Sequence, residues 1–331
     1  MFIIDRFPGM RSFKAVQIST MFAMGVLMQS GCAIEGSDAK PKPSAPPAIQ
    51  SRAIDLQGHR GMRAHWPENG VLGMLEAVAS GVTTLEMDVV IGSDGQPLLS
   101  HEPWLNADIC RTPEGQPIAE HDRSWNLFTM RPEDVARCDC GLQGHPRFPQ
   151  QRKVPTTKPT LATLLTTLAH QAKVDSACQS VRFNIELKHR PEGDGVYHPD
   201  AVTFTQAVVD VLDKFGVTAR TTLQSFSPEV LEAIHAMRPD IQTAWLVEEK
   251  GSTASWLAQL TFRPDILSPD HALLSPEDVA EAHAQNVKVI PWTVNDELEA
   301  EALIRMGVDG IITDDPDRIR TTIEQLGCTV D

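Results

Sequence analysis

The strongest constraint on the fold is a regular alternation of strand-like runs with helical patterns beyond residue 53. Eight strand-like runs recur, at residues 54–58, 84–90, 182–187, 221–226, 242–247, 265–267, 288–293 and 310–313. Helical patterns lie between most of them, for example at residues 71–79, 201–215, 228–237, 276–285 and 298–306. This alternation is typical of parallel strands, because two parallel neighbours must be joined by a long crossover, usually a helix.

The number of strands favours a closed barrel. Eight strand–helix units match the (β/α)₈ barrel, which has ~250 residues before insertions are added. An open doubly wound sheet is the alternative, but no glycine-rich dinucleotide loop follows the first strand. We therefore predict an α/β protein with one (β/α)₈ TIM barrel over residues 53–331 and an insertion at 103–158, after the second strand.

Chemically active residues are concentrated between positions 58 and 101. Glu86 and Asp88 project from one face of a strand, where they repel each other unless a cation or a proton lies between them. His59 and His101 each follow an apolar run, where a barrel strand would end and direct a side chain into a site. Arg60 adds a fixed positive charge that suits a phosphate. Together these groups are the ones that metal-assisted phosphoryl chemistry requires.

The order and spacing of these residues resemble a known family. The motifs are His59-Arg60-Gly61, Pro67-Glu68-Asn69, Glu86-Met87-Asp88 and His101. They resemble those of the glycerophosphodiester phosphodiesterase family, which usually has Thr at the position of Gly70 and Asp at that of Glu102. Later segments also match: Glu186-Leu187-Lys188, Gln224-Ser225-Phe226, Trp292-Thr293-Val294-Asn295 and a closing strand at 307–314. The resemblance covers nearly all of residues 54–320 outside the insertion.

The resemblance implies a role for each matching residue. It makes His59 and His101 the catalytic acid and base, Arg60 and Lys188 the phosphate-binding cations, and Glu86, Asp88 and Glu186 the metal ligands. Without the resemblance, Glu186 and Lys188 would be interpreted as a surface salt pair on a half-buried strand. Phe226 and Trp292 would form walls against the substrate, although either could equally be a core aromatic residue. The closing run at 307–314 is expected to be mainly architectural.

The expected activity follows from the same resemblance. It implies metal-dependent hydrolysis of glycerophosphodiesters to glycerol 3-phosphate and an alcohol. Oxygen ligands alone favour Ca²⁺ or Mg²⁺ over zinc, and we favour Ca²⁺ for an exported enzyme. The nucleophile is either water or a neighbouring hydroxyl of the substrate glycerol. The alternatives are a related phosphodiesterase acting on lysophospholipids or glycerol-phosphate polymers, and a lipoprotein that binds a ligand without turnover.

The N-terminal segment indicates export. Three basic residues precede an uncharged stretch at 15–28, which is shorter than the ~20 residues needed to cross a bilayer and is typical of a signal peptide. Small residues lead into Cys32, which resembles a bacterial lipoprotein processing site, with an ordinary secretory cut as the alternative. Residues 33–52 are rich in Pro, Ser, Ala and Lys and predict a disordered tether. We expect residues 1–32 to be a signal peptide and the protein to reach the periplasm or cell envelope, held by lipid on Cys32.

Composition limits the partners. A formal net charge of −15 with 41% apolar residues indicates a soluble domain with a real core and excludes the basic face that nucleic-acid binding needs. The expected partner is a small phosphodiester, and no protein partner is evident.

The insertion carries cysteines and histidines of its own. Because export permits disulfides, we predict one loop disulfide between Cys110 and either Cys138 or Cys140. His121 and His145 are expected to be solvated loop histidines.

Overall fold

Eight parallel strands form a nearly closed barrel in the computed structural model, which describes residues 51–331. Along the chain the strands are β1 (Ala53–Gly58), β2 (Thr84–Ile91), β3 (Pro97–Leu99), β4 (Arg182–Leu187), β5 (Thr221–Ser225), β6 (Gln242–Val247), β7 (Ile266–Pro269), β8 (Lys288–Val289), β9 (Gly310–Thr313) and β10 (Thr329–Val330). Two of these lie outside the barrel ring: β3 pairs antiparallel with β2, and β10 pairs with the start of β1. The predicted signal peptide, Cys32 and nearly all of the tether lie outside the described residues.

The barrel closes between β8 and β9. Strand pairing runs in the order β9-β1-β2-β4-β5-β6-β7-β8. Backbone bonds then join the two ends, from Asp309 N–H to Val289 O at 2.8 Å and from Ile312 N–H to Pro291 O at 3.0 Å. The predicted (β/α)₈ TIM barrel is confirmed.

Helices cover the outside of the barrel. They are α1 (Val71–Ala79), α2 (Pro132–Val135), α3 (Leu161–Gln171), α4 (Ala177–Ser180), α5 (Ala201–Phe215), α6 (Pro228–Met237), α7 (Thr253–Leu257), α8 (Pro276–Ala284), α9 (Glu297–Met306) and α10 (Pro316–Gln325). The predicted bounds of α1, α5 and α6 are correct, and those of α8 and α9 differ by one residue. Within residues 51–331, none of the helices has the length and apolarity that crossing a bilayer requires.

The seventh barrel strand is shorter than predicted. The sequence indicated residues 288–293, whereas β8 ends at Val289. Pro291 has no N–H to donate, so the regular ladder stops there. Single bonds continue the parallel course, since Trp292 N–H donates to Pro269 O at 3.1 Å. The preceding strand is also displaced, beginning and ending later than the predicted 265–267.

The insertion after the second barrel strand packs around a small core of its own. Leu105, Ile109 and Leu127 are buried there, and Cys110 forms a disulfide with Cys140. The predicted loop disulfide is therefore confirmed, with Cys140 rather than Cys138 as the partner.

The two loop histidines of the insertion differ. The His121 side chain is 89% exposed, as expected, but that of His145 is only 9% exposed. The prediction of a solvated His145 was wrong, because this ring packs against Phe148 and lies 3.8 Å from Glu68.

A hairpin brings His101 to the site. Strand β2 continues beyond the barrel and β3 folds back on it, so that Val89 pairs with Leu99 and Ser100 N–H donates to Asp88 O at 3.1 Å. The residue following β3 therefore lies near the level of Asp88. The expectation that His101 follows a barrel strand was wrong, since a tight turn at 92–96, with Gly95 at a φ of 77°, reverses the chain before it.

Candidate active site

A pocket of about 340 Å³ collects most of the predicted site residues. Its lining includes His59, Arg60, Glu86, His101, Glu186, Lys188, Phe226 and Trp292. The remaining predicted residue, Asp88, is 1% exposed and contacts Arg60 beneath this lining. All nine residues are thus brought together.

Three buried carboxylates form the floor of the pocket. Strand register pairs Asp88 with Glu186, and alternation along β2 places Glu86 on the same face as Asp88. One oxygen atom from each of the three carboxylates lies within 4.8 Å of the others. Glu86 and Asp88 lie inside β2, because that strand runs on beyond them to pair with β3.

Burial sets the charge balance of this triad. Burial raises the pKa of Glu86, and the negative charge of Asp88 raises it further. Burial also opposes ionisation of Asp88, but the Arg60 guanidinium, whose Nε lies 3.1 Å away, contributes most to holding that pKa well below its usual range. The pKa of Glu186 is raised by burial, although Lys188 Nζ at 2.7 Å opposes the shift. Two cations thus compensate part of the charge of three carboxylates.

A row of hydrogen-bonded polar side chains inside the barrel, here called the polar ladder, fixes the orientation of the Glu86 carboxylate. Its members are Gln57, Asn184 and Gln224. Gln224 Nε2 donates to Glu86 Oε1 at 2.8 Å, and Arg60 N–H donates to Oε2 at 2.9 Å. Asn184 Nδ2 in turn donates to the side-chain oxygens of Gln224 at 3.1 Å and Gln57 at 2.8 Å. Because both of its oxygens accept hydrogen bonds, Glu86 has a defined orientation.

Asn69 holds Asp88 in a similar way. Its Nδ2 donates to Asp88 Oδ2 at 2.9 Å, and its Oδ1 accepts from Asp88 N–H at 3.1 Å. Asn69 has a φ of 54° and Arg60 a φ of 52°, a left-handed conformation that few non-glycine residues adopt. Asp88 Oδ1 is buried and has no hydrogen-bond partner within residues 51–331. That oxygen remains available for a cation.

His59 is oriented by Asp314. Its Nδ1 lies 2.6 Å from Asp314 Oδ1, so Nδ1 carries the proton and the Nε2 lone pair faces the pocket, 4.0 Å from Glu86 Oε2. Burial lowers the pKa of His59 to about 4, although Asp314 opposes the shift. Asp314 itself accepts from Arg63 Nε at 2.9 Å and from Asn295 Nδ2 at 2.8 Å. Asp314 was expected to be architectural and instead belongs to the site.

Glu68 supports the arginine pair. Arg60 Nη1 donates to both Glu68 oxygens at 3.1 Å, and Arg63 Nη1 lies 3.6 Å from the same carboxylate. Burial favours the neutral acid, but Arg60 leads the neighbouring cations that lower the pKa of Glu68 to about 2. Glu68 therefore stays ionised and holds Arg60 beside Asp88.

His101 lies at the mouth of the pocket. Its side chain is 32% exposed, and Nδ1 lies 2.8 Å from Glu102 Oε1. Because the Glu102 carboxylate accepts from Nδ1, Nε2 is the atom left for proton transfer. Glu102, which stands where the family usually has Asp, is thus a positioning group for the second histidine.

Two aromatic rings form one wall. Phe226 and Trp292 meet edge to face with ring centroids 5.5 Å apart, and both are half-buried. Trp292 Nε1 donates to Ser268 O at 2.8 Å, and Lys188 Nζ lies 5.9 Å from the centre of the Phe226 ring. Both residues line the pocket, and Trp292 also packs against a buried cluster that includes Ile290, so for Trp292 the two interpretations are compatible.

Several site residues were not identified from the sequence. They are Arg63, Asp314 and the ladder residues Gln57 and Asn184. The signal for the ladder was present, since each of these polar residues stands at an alternating position within an apolar strand. For Arg63 and Asp314 no local signal exists, because they meet only when β9 closes on β1.

Comparison with known proteins agrees with this geometry. The sequence model of the glycerophosphoryl diester phosphodiesterase family matches residues 59–318. A glycerophosphodiester phosphodiesterase of Caldanaerobacter subterraneus is 25% identical over 269 residues, which is 81% of this chain and 97% of that protein. A putative glycerophosphoryl diester phosphodiesterase structure from Silicibacter pomeroyi has 26% identity and a TM-score of 0.75, covering 86% of this chain and 97% of that one. A phosphodiesterase structure from Oleispira antarctica, in complex with the product sn-glycerol-3-phosphate, has 21% identity and a TM-score of 0.64. The match covers 83% of this chain and 97% of that one.

Proposed function

The chain belongs to the glycerophosphoryl diester phosphodiesterase family and is a hydrolase of glycerophosphodiesters, and we propose that a three-carboxylate metal site and two histidines carry its reaction. The products are glycerol 3-phosphate and an alcohol. The observation that carries the proposal is the convergence of His59, His101, Glu86 and Glu186 on one pocket. His59 follows β1, Glu86 lies in β2, His101 follows β3 and Glu186 lies in β4.

The donor set fits a hard divalent cation. Glu86, Asp88 and Glu186 offer only oxygen ligands, which suit Ca²⁺ or Mg²⁺, and we favour Ca²⁺. Asp88 Oδ1 accepts no hydrogen bond within residues 51–331 and the pKa of Glu86 is raised, as expected for an incompletely neutralised carboxylate cluster. When bound, such an ion supplies Lewis-acid polarisation of a phosphoryl oxygen.

Arg60 and Lys188 bind the phosphate. Both lie beside the carboxylates, with Arg60 Nε 3.1 Å and Lys188 Nζ 3.8 Å from Asp88. Fixed positive charges in a buried site stabilise the charge that develops on the phosphoryl oxygens in the transition state. Glu68 orients Arg60, whereas Lys188 is held by Glu186 at 2.7 Å.

The positions of the two histidines give each of them a different proton transfer. Since Nδ1 of His59 is bonded to Asp314, its Nε2 is free to accept a proton from the nucleophile. His101 lies at the junction of this pocket with a neighbouring one, and donates a proton to the departing alcohol. The nucleophile is water or a hydroxyl of the glycerol. Phe226 and Trp292 enclose the glycerol phosphate.

Substitution of each histidine tests this proposal. His59→Ala and His101→Ala should each lower kcat for release of glycerol 3-phosphate by ~10²–10⁴, the usual contribution of a positioned acid or base. Melting curves should show that both variants stay folded, because neither ring fills the apolar core. A variant that keeps the wild-type kcat on a glycerophosphodiester would remove that residue from the mechanism.

We also propose that the enzyme is exported and held at the cell envelope. Residues 1–32 would be the signal peptide, Cys32 the lipid anchor and residues 33–52 the tether, as their composition indicates. The Cys110–Cys140 disulfide supports an oxidising compartment.

A further inference from the structure

A second pocket, of about 360 Å³, adjoins the first and carries the further inference. His101, Glu186, Lys188 and Phe226 line both pockets, so the two meet at the carboxylates and at the second histidine. A phosphodiester has two organic arms, one on each side of the phosphorus. The first pocket is lined mainly by barrel residues and would hold the constant glycerol phosphate. The second therefore lies where the alcohol would leave.

The walls of the second pocket come from the insertion and from the loop after β4. Trp104 of the insertion meets Tyr197 of the loop edge to face, with ring centroids 5.3 Å apart. Asn126 Nδ2 donates to Val196 O at 2.7 Å and ties the two segments together. Because the walls are already joined, little ordering remains to oppose binding of a ligand.

A histidine pair stiffens the same loop. His189 bonds to Asp194 through Nε2 and to Ser227 Oγ through Nδ1, each at 2.9 Å. His198 accepts from Arg190 N–H at 3.3 Å and lies 2.9 Å from Pro199 O. Since these bonds engage the ring nitrogens, His189 and His198 form a rigid back wall of the pocket.

The charges of the pocket distinguish between classes of alcohol. The Arg123 guanidinium lies 4.3 Å from the centre of the Trp104 ring, over one of its two faces. The fixed positive charge of Arg123 beside this ring disfavours a second cation, such as a quaternary ammonium group, over the other face. Glu192 lines the same pocket, and neither Arg123 nor Glu192 makes an ion pair with any residue in 51–331.

The other charged groups of the wall are already paired. Lys188 is paired with Glu186, and Glu102 with His101. Arg190 lies 3.3 Å from Glu248. Within residues 51–331 the pocket therefore offers an alcohol the rings of Trp104 and Tyr197, the guanidinium of Arg123 and the carboxylate of Glu192, and the last two have no ion-pair partner.

We propose that this pocket binds the leaving alcohol and selects an uncharged polyhydroxy alcohol, such as glycerol or a cyclitol, over a cationic one. The inference rests on the proposed function. Hydroxyl groups both donate and accept, so they pair with Arg123 and Glu192 without adding net charge. Trp104 and Tyr197 cover the carbon skeleton. The volume falls in the ~300–1,000 Å³ range of small-molecule pockets.

The test is kcat/KM of the full chain on four diesters of glycerol 3-phosphate. The alcohols are glycerol, inositol, choline and methanol, and the methyl ester serves as the reference because its arm is too short to fill the pocket. We expect the wild type to prefer the two polyol diesters over the choline diester by about tenfold, the discrimination that one or two lost contacts produce.

Variants assign that preference to the pocket. Trp104→Ala should lower the polyol-to-methyl ratio of kcat/KM about tenfold, mainly through KM, whereas Trp104→Phe should retain most of it. Arg123→Gln should raise the ratio of kcat/KM for the choline diester to kcat/KM for the methyl diester. Arg131→Gln, in the insertion but outside this pocket, should leave the ratios of the wild type in place.

The outcomes separate the inference from the proposed function. If the methyl diester is hydrolysed but Trp104→Ala keeps the wild-type ratio, or if the wild type prefers choline, the pocket assignment is overturned. If none of the four diesters releases glycerol 3-phosphate, the proposed function fails and the inference with it.

Discussion

Replacement of Glu68 by Gln should destabilise the fold by an amount that depends on pH. The pKa of Glu68 falls from the ordinary 4.5 to about 2, chiefly because Arg60 outweighs the effect of burial. A lowered carboxylate pKa stabilises the folded state above the unfolded pKa, and this stabilisation is lost as the pH falls. A difference of 2.5 pKa units (4.5 − 2) corresponds to about 3 kcal/mol at pH 7.

For a domain of this size that loss corresponds to a decrease in Tm of about 5 °C. Thermal melts of wild type and Glu68→Gln should differ by this amount at pH 7, and the difference should shrink as the pH falls from 4.5 towards 2. Glu120→Gln is the matched control, because that side chain is 85% exposed. A Glu68→Gln protein as stable as the wild type at pH 7, or a deficit unchanged by acid, would refute the electrostatic argument.

Two further predictions follow from the site and from the N-terminal segment. Asp314→Asn should lower kcat by about 10² or more with little change in KM. The reason is that an amide can present N–H to His59 Nδ1 and so shift the imidazole proton to Nε2. An unchanged kcat would show that Asp314 does not set the tautomer. Cys32→Ser should move the protein from the membrane fraction to the soluble fraction, and an unlipidated mature N-terminus found elsewhere by mass spectrometry would contradict the anchor.

Local periodicity was enough to predict the barrel and to place Glu86 and Asp88 on one face of a strand, whereas Glu186 was assigned to the site only through the family resemblance. Glu86 and Asp88 alternate within one strand, and Glu186 lies at the matching position of the strand that pairs with it. The bounds of β4 and β6 were correct because turn residues and polar segments limit both runs. Such features depend on neighbours in the chain, so the sequence alone can specify them.

Three features of the site were not predicted, and the first of them depends on closure of the barrel. His59 and Asp314 are 255 positions apart and meet only because β9 pairs with β1. His101 reaches the site through a hairpin whose strand β3 has only three residues. The burial of His145 depends on how the insertion folds over Glu68. The contacts of His59 and His145 are set by tertiary packing, and β3 is too short to show a strand period in the sequence.

Metal dependence is the most direct test of the mechanism. The carboxylates of Glu86, Asp88 and Glu186 are buried together with too little positive charge to balance them, so a divalent cation should be required for turnover. Enzyme treated with EDTA should release no glycerol 3-phosphate from a glycerophosphodiester, and adding Ca²⁺ or Mg²⁺ should restore release. Calorimetric titration should show one ion bound, with much weaker binding to Glu86→Gln. Full turnover after exhaustive chelation would contradict the metal-dependent mechanism.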